Sequence, residues 1–124
     1  MSEKFSNHKP LVSVVIVNWN GAIYLPDCLD TVTAQTFTDY EVIVVDNASN
    51  DHSADNIEVK WPGVRVERLD KNIGFAAANN LGARIARGSW LALLNNDTFP
   101  TSEWIARLLD AANRNPQFSF FASC

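Results

Sequence analysis

Four polar clusters in this sequence contain residues that could bind a ligand, and each follows an apolar stretch. They are Asn18–Trp19–Asn20, Asp46–Asn47, Asn72–Ile73–Gly74 and Asn95–Asn96–Asp97. Asn and Asp side chains offer hydrogen-bonding oxygens and ligands for a hard divalent cation, whereas an indole ring offers a face on which a base can stack. Side chains of these types suit a nucleotide and its phosphates, provided that the fold brings the clusters together.

Each cluster has a structural interpretation as well as a functional one, and none decides between them by itself. Asp46 can accept hydrogen bonds from a ribose hydroxyl or a base N–H, or it can form an Asx turn or cap the next helix. Trp19 can stack on a nucleobase or pack beneath its loop. Asp97 can hold Mg²⁺ or Mn²⁺ together with nucleotide phosphates, or cap a loop. Asn72 and Gly74 can bring backbone N–H groups to a phosphate, or form a turn.

The segments that must position these clusters alternate between strand and helix patterns. Strands are predicted at Leu11–Val17, Glu41–Val45, Val64–Leu69, Trp90–Leu94 and Phe118–Ala122. Helices are predicted at Ala22–Gln35, Ser53–Val59, Gly74–Arg87, with Gly88 as a helix stop, and Thr101–Asn113, with Thr101 or Ser102 as N-cap. This alternation predicts an α/β fold with a mostly parallel sheet flanked by helices. Ligands of such sheets bind beyond the carboxyl ends of the strands, so all four clusters are expected at one edge of the sheet.

Composition and charge argue against several other classes of protein. Lys and Arg number 10 against 14 Asp and Glu, a net charge of −4, and no basic run is present, so nucleic acid is not expected as a partner. The longest apolar runs are far shorter than a membrane span, so no transmembrane segment is expected. Cys28 and Cys124, with His8 and His52, supply neither a disulfide framework, nor a zinc ribbon, nor a Ser-His-Asp triad. The polar segment Met1–Pro10 is predicted to be a disordered lead-in.

Four segments resemble motifs of the family 2 glycosyltransferases with the GT-A fold, in the order and spacing of that family. They are Val12–Gly21, Glu41–Asp51, Asn72–Gly82 and Leu93–Pro100. The resemblance implies a Rossmann-like GT-A domain, of which residues 11–124 are the amino-terminal half that binds a nucleoside-diphospho-sugar. It implies sugar transfer to a hydroxyl of a glycan or lipid-linked acceptor, in polysaccharide or cell-surface glycan synthesis. The sequence Asn95–Thr98 is similar to that of rhamnosyltransferase-like members, which favours a UDP- or dTDP-sugar, dTDP-rhamnose included.

The resemblance also implies a role for individual residues. Those expected to hold the base and ribose are Val17, Asn18, Trp19, Asn20 and Asp46. Those expected along the nucleotide and its phosphates are Asn72, Gly74 and Asn79. Asn95, Asn96 and Asp97 occupy the place of the DxD motif, which binds Mg²⁺ or Mn²⁺. Because Asn95 replaces the first aspartate, Asp97 is the one charged metal ligand that is expected.

No catalytic residue is predicted in this sequence. An inverting transfer needs a carboxylate to accept the proton of the acceptor hydroxyl, and the resemblance places that carboxylate after Cys124. The chain is therefore interpreted as a truncated donor-binding fragment that is inactive alone. A sheet that ends early leaves an open edge, so a homodimer is one expected assembly. The expected location is the cytoplasm, either free or at the inner face of the membrane.

Two other classes of function compete with this interpretation. A non-catalytic GT-A-like interaction module that self-associates is favoured by Asn95 and by the short length. A nucleotidyltransferase of similar architecture would have a glycine-rich loop with a basic residue after the first strand. Residues Asn18–Gly21 at that position contain neither a basic residue nor a second glycine, which argues against a nucleotidyltransferase.

Overall fold

Four parallel strands form the sheet at the centre of the computed structural model, which describes residues 8–119. The strands are β1 (Val12–Asn18), β2 (Tyr40–Asp46), β3 (Arg65–Arg68) and β4 (Trp90–Asn95), and their order across the sheet is β3-β2-β1-β4. The helices are α1 (Leu25–Val32), α2 (Ile57–Lys60), α3 (Phe75–Ile85) and α4 (Trp104–Arg114). Every strand pair is parallel and helices pack on both faces, which confirms the predicted fold class.

The central strand, β1, is buried along its whole length. Val14 and Ile16 pack on the face that α1 and α4 cover, whereas Val15 and Val17 pack on the face that α3 covers. A continuous run of β-branched side chains suits this position, because both faces of the strand must be covered. β1 is therefore a rigid base from which Asn18 and the following loop extend.

The start of α4 differs from its prediction. The helix begins at Trp104 and no side chain caps it, so neither Thr101 nor Ser102 is the predicted N-cap. The reason is tertiary: the buried Gln35 accepts a hydrogen bond from the backbone N–H of Ile105 through Oε1 at 3.0 Å. A side chain from the segment after α1 thus satisfies one of the open N–H groups of α4.

The other three predicted helices are also longer than those observed, and Gly74–Arg87 differs least, since it is observed over Phe75–Ile85. The predicted helix Ala22–Gln35 is confined to Leu25–Val32, because residues 22–24 form a turn. The predicted helix Ser53–Val59 is reduced to the single turn Ile57–Lys60. Within residues 8–119, no helix has both the length and the apolar character needed to cross a bilayer.

Both ends of the sequence carry predictions that lie mostly outside the described residues. Of the lead-in predicted over residues 1–10, only residues 8–10 are described, and they have no regular secondary structure. Of the strand predicted at Phe118–Ala122, only Phe118 and Ser119 are described, and neither lies in a strand.

A polar cluster at the amino edge of the sheet, here called the Glu41 cluster, joins β1 and β2 to the α3–β4 turn. Ser13 Oγ donates to Glu41 Oε2 at 2.5 Å, and the backbone N–H of Arg87 donates to the same oxygen at 2.8 Å. Arg65 Nη1 lies 3.7 Å from Glu41 Oε1. Burial raises the pKa of Glu41, but these hydrogen bonds and the two nearby arginines outweigh it, so the pKa is lowered from 4.5.

Gly88 completes this cluster, and its role is packing rather than the predicted helix stop. Its backbone N–H donates to Ser13 Oγ at 2.8 Å. A Cβ atom on Gly88 would lie 2.6 Å from the backbone N of Ser13, which is too close for any side chain. The turn before β4 therefore needs glycine to approach β1.

Candidate functional site

The carboxyl ends of three strands bring the polar clusters together. Asn18 is paired with Asp46 across β1 and β2, and Val17 is paired with Asn95 across β1 and β4. Strands β1, β2 and β4 therefore end almost level with one another, so the loops that follow them start side by side. This arrangement places three of the four clusters at one edge of the sheet, as predicted.

A cleft of about 360 Å³ lies at this edge. Its eight lining residues are Val17, Trp19, Asn47, Asn72, Phe75, Asn95, Asn96 and Asp97. The volume falls within the range of ordinary small-molecule sites, which is roughly 300–1,000 Å³. The fourth cluster contributes through Asn72, so all four predicted clusters line the same cleft.

Two larger grooves lie along β4 and α4, with volumes of about 570 and 680 Å³. Asn79, predicted to lie along the nucleotide, lines the first of these grooves together with Leu91 and Leu93 rather than the cleft. Apolar side chains dominate the lining of both grooves. We therefore take the smaller cleft, where the polar clusters meet, as the candidate ligand site.

Two exposed aromatic rings line the cleft. Trp19 is 56% exposed, so the interpretation that it packs beneath its loop is wrong. Phe75, the first residue of α3, is 60% exposed. Sequence reasoning missed Phe75, although an aromatic residue directly after Gly74 was the available signal. Large aromatic side chains this exposed in a concave site are well suited to stacking on a planar ligand.

Asp46 occupies a different environment from the one predicted for a ligand contact. It is only 5% exposed and is not among the lining residues of the cleft. Its Oδ1 accepts hydrogen bonds from Asn18 Nδ2 at 3.0 Å and from Ser49 Oγ at 2.7 Å, and its Oδ2 accepts one from Ser49 N at 3.1 Å. The structure therefore shows the turn-forming role that the structural interpretation predicts.

Asn47, the residue after Asp46, lines the cleft instead. Its Oδ1 accepts a hydrogen bond from Ile73 N at 2.9 Å, and its Nδ2 donates to Gly74 O at 3.2 Å. These bonds attach the loop before α3 to the end of β2. Asn47 is itself only 2% exposed, so it borders the cleft as part of the wall that these bonds hold in place.

The loop at Gly74 forms the turn that its structural interpretation predicts, and its phosphate-binding role stays a prediction. Gly74 adopts a φ of 92°, a conformation that favours glycine. Its backbone N–H donates to Asn72 Oδ1 at 2.8 Å. That N–H is engaged within an Asx turn, so the structural interpretation holds for this pair of residues.

Two asparagines after β1 are engaged within the protein. Asn18 is fully buried, and its predicted contact with a ligand stays a prediction. Asn20 Oδ1 accepts a hydrogen bond from Asn50 N at 2.9 Å, and Asn20 N donates to Ser49 Oγ at 2.8 Å. Asn20 therefore ties the β1 loop to the β2 loop and is not among the lining residues of the cleft.

The turn after β4 presents one carboxylate to the cleft. Asn95 and Asp97 are exposed, whereas Asn96 between them is partly buried.

Burial, and then the negative charge of Asp97, raise the pKa of Cys28 to about 12, so this neighbouring thiol stays protonated. Cys28 Sγ lies 3.8 Å from the backbone oxygen of Asn95, to which it donates.

The charge of the cleft bears on whether it could hold a divalent cation. None of its eight described lining residues is a Lys or Arg, and Asp97 is its one carboxylate. Within residues 8–119, no group of three or more His, Cys, Asp and Glu side chains could form a metal site by itself. One carboxylate with amide oxygens does fit Mg²⁺ or Mn²⁺ when ligand phosphates and water complete the coordination.

Comparisons with known proteins agree with this fold. Residues 13–122 match the sequence model of the family described as "Glycosyl transferase family 2". An uncharacterized glycosyltransferase of Haemophilus influenzae is 31% identical over 110 residues, which cover 89% of this chain and 37% of that protein. Glycosyltransferase AglE of Haloferax volcanii is 36% identical over 103 residues, which cover 79% of this chain and 34% of that protein. This chain thus spans about a third of the length of these curated relatives.

Two solved structures show the same fold. Mannosyltransferase PcManGT from Pyrobaculum calidifontis, in complex with GDP-Man and Mn²⁺, aligns with a TM-score of 0.77 and 24% identity over 85% of this chain and 33% of that one. S. aureus TarS 1-349, in complex with UDP-GlcNAc, aligns with a TM-score of 0.73 and 25% identity over 86% of this chain and 31% of that one. The sheet and helices are therefore those of GT-A glycosyltransferases.

Proposed function

This chain belongs to glycosyl transferase family 2, and on that premise we propose that its cleft binds the nucleoside diphosphate of a sugar donor. The whole protein would transfer the sugar to a hydroxyl of a glycan or lipid-linked acceptor. The observation that carries the proposal is the meeting of two exposed aromatic rings and one exposed carboxylate in a single cleft. A nucleoside diphosphate has the matching parts, a flat base at one end and two phosphates at the other.

The aromatic side chains would hold the base. Trp19 and Phe75 offer ring faces, and stacking of a base on an aromatic ring contributes about 1–3 kcal/mol. Asn47 lies in the same lining but is only 2% exposed, and its amide is bonded to Ile73 and Gly74, so it would shape the wall of the cleft beside the base. The ligand contact that the resemblance implies for Asp46 stays a prediction.

The turn after β4 would hold the phosphates through a divalent ion. Because no Lys or Arg lines the described cleft, a diphosphate there needs a counter-charge from elsewhere. Asp97, with the Asn95 amide oxygen, would hold Mg²⁺ or Mn²⁺, which when bound offsets the charge of the leaving diphosphate. Asp97 is the one carboxylate of the described lining, so we assign the described residues to donor binding and no residue among them as the proton acceptor.

Titration calorimetry of the 124-residue chain tests this proposal. UDP, dTDP and GDP would each be titrated with Mn²⁺ and with EDTA, since solved relatives hold UDP-GlcNAc and GDP-Man and the Asn95–Thr98 resemblance adds dTDP-rhamnose. We expect at least one nucleotide to bind, more tightly with Mn²⁺. No binding of any of the three at millimolar concentration would contradict the proposal.

A Trp19→Ala variant assigns the binding to the cleft. Loss of base stacking should weaken the affinity roughly 5- to 150-fold, the equivalent of about 1–3 kcal/mol. Val59→Ala is the control, because Val59 is 75% exposed on α2 and is not among the lining residues of the cleft. Equal affinities for the two variants would place the nucleotide elsewhere on the protein.

A different surface favours a second candidate function, the self-associating module. Leu91 is 48% and Leu93 is 58% exposed on β4, which is an edge strand of the described sheet. An apolar edge strand of this kind favours pairing with another chain, and a second copy is the occupant proposed here. Sedimentation velocity tests it: a concentration-dependent dimer that Leu93→Lys converts to monomer supports the module, and a wild-type monomer throughout contradicts it.

A further inference from the structure

The buried side chain of Asn18 connects the two sides of the cleft. Its Nδ2 donates to Oδ1 of Asp46, the last residue of β2, at 3.0 Å and to Oγ of Ser53, in the segment that follows β2, at 2.9 Å. On the opposite side, its Oδ1 accepts a hydrogen bond from Asn96 Nδ2 at 2.9 Å. One amide group therefore links the Asp46 loop to the turn that presents Asp97.

An amide suits this position better than other side chains of its size. Asn18 must donate toward the Asp46 carboxylate and accept from Asn96, and an amide does both at once. A carboxylate at position 18 would face Asp46 with a second negative charge, whereas an apolar side chain would leave Asp46 short of hydrogen bonds in a buried place.

Gly21 shows how closely the linkage is packed. A Cβ atom on Gly21 would lie inside contact distance of both Asn18 Oδ1 and Asn96 Nδ2. The backbone at position 21 thus packs directly on the hydrogen bond between these two amides. Any side chain there must displace at least one of them.

In the turn after β4, the residue that bonds to Asn18 lies between the two residues that face the cleft. Asn95 and Asp97 are exposed to the cleft, while the partly buried Asn96 between them carries the bond to Asn18. Thr98 closes the turn, because its N–H and its Oγ1 donate to Asn95 O at 3.2 and 2.7 Å. The inward bond of Asn96 is thus a side-chain restraint that ties this turn to the central strand.

We propose that Asn18 and Asn96 are positioning residues, which hold Asp97 in register with the base-binding side of the cleft. This proposal rests on the proposed function, because Asp97 is the residue assigned there to the divalent ion. Residues that orient a metal ligand without touching the metal commonly change metal affinity by about 10- to 100-fold when they are replaced. Loss of the Asn96 bond should therefore weaken the metal-dependent part of nucleotide binding more than the metal-independent part.

The test compares affinities with Mn²⁺ and with EDTA for whichever of UDP, dTDP and GDP the wild-type chain binds. The dissociation constant in EDTA divided by the dissociation constant with Mn²⁺ measures the metal-dependent part of binding. We expect Asn96→Ala to lower that ratio about 10-fold, with a smaller change in the affinity in EDTA, because Asn96 itself lines the cleft. Asn113→Ala is the matched control, because Asn113 is an exposed asparagine of α4.

Two further variants show that Asn96 acts through Asp97 and Asn18. In an Asp97→Ala background, Asn96→Ala should cause no additional loss. Gly21→Ala should lower the ratio as Asn96→Ala does, because it crowds the same hydrogen bond without removing either amide. Asn18→Ala is a weaker test, since this buried change can unfold the chain.

The outcomes separate the two proposals. If the wild-type chain binds none of the three nucleotides, the proposed function fails and the positioning role fails with it. Two results would overturn only the positioning role. In the first, the wild-type chain binds more tightly with Mn²⁺ and Asn96→Ala preserves that gain. In the second, Asn96→Ala weakens the affinity with Mn²⁺ and the affinity in EDTA equally. Wild-type binding that Mn²⁺ does not strengthen also overturns the positioning role.

Discussion

The two edges of the sheet place carboxylates in opposite environments. At the amino edge, Glu41 is surrounded by donors from Ser13 and Arg87 and by two nearby arginines. At the carboxyl edge, Asp97 is exposed in a cleft whose described lining contains no Lys or Arg. The first carboxylate has its charge offset within the fold and so can contribute to stability. The second keeps its charge available for a cation that comes from outside.

Asp46 shows that position in the sheet does not by itself decide which role a carboxylate takes. It lies at the carboxyl edge like Asp97, yet amide and hydroxyl groups satisfy its oxygens and bury it. The number of donors around each carboxylate therefore distinguishes a structural from a ligand-binding group. Substitutions at the two edges should accordingly affect different measured quantities.

The largest expected effect is that of Asp97→Ala on metal-dependent binding. Loss of the one carboxylate in the described cleft should remove most of the Mn²⁺-dependent gain in nucleotide affinity, on the order of 100-fold. The free energy of unfolding should change by less than about 0.5 kcal/mol, because Asp97 is exposed. Calorimetry and urea unfolding measure the two quantities. A large loss of stability with unchanged affinity would contradict the contrast between the edges.

Gly88→Ala should have the reverse effect. The added methyl group would overlap the backbone of β1 at the amino edge, and overpacking of this kind costs about 1–3 kcal/mol. Nucleotide affinity should stay the same, because the substitution lies at the far end of the strands from the cleft. Urea unfolding measures the loss, and a change in affinity without one would show that the two edges are coupled.

The pH dependence of Glu41→Gln tests the electrostatic side of the comparison. The pKa of Glu41 is lowered in the folded protein, so its ionised form stabilises the fold above about pH 4.5, and this contribution is lost as pH falls through the lowered pKa. Wild type should therefore be more stable than the variant at pH 7, and the difference should shrink at lower pH. Urea unfolding over a pH series checks this, and a difference that grows on acidification would contradict it.

The smallest effect is expected for Glu58→Gln, which removes a carboxylate that is paired but exposed. Arg68 Nη1 lies 2.7 Å from Glu58 Oε2, and the hydrogen bond from Arg68 lowers the pKa of Glu58 to about 2. Both side chains are more than 40% exposed, so solvent screens the pair and its loss should cost less than about 1 kcal/mol. A larger loss of stability in urea would show that exposure does not separate these carboxylates as we infer.

Much of the fold and part of the site followed from sequence patterns. Apolar β-branched runs predicted β1 and β2 to within a residue or two, since a strand covered on both faces needs such runs. The predicted meeting of the clusters also holds, because parallel strands joined by helices must all end at the same edge. Helix ends were harder to predict. The start of α4 depends on the hydrogen bond that Ile105 N donates to Gln35, and these residues are 70 positions apart in the sequence.

Sequence patterns could not show which member of each cluster faces the cleft. Asn18 and Trp19 are adjacent in one predicted cluster, yet Asn18 is fully buried whereas Trp19 is 56% exposed and lines the cleft. The direction of a side chain at a strand end reverses with each residue, and long-range hydrogen bonds choose between the two directions. Local residue types and spacing therefore dictated the order of elements and the edge where a ligand would bind. Packing between distant segments selected the side chains that reach that ligand, because their partners are neighbours only in the folded chain.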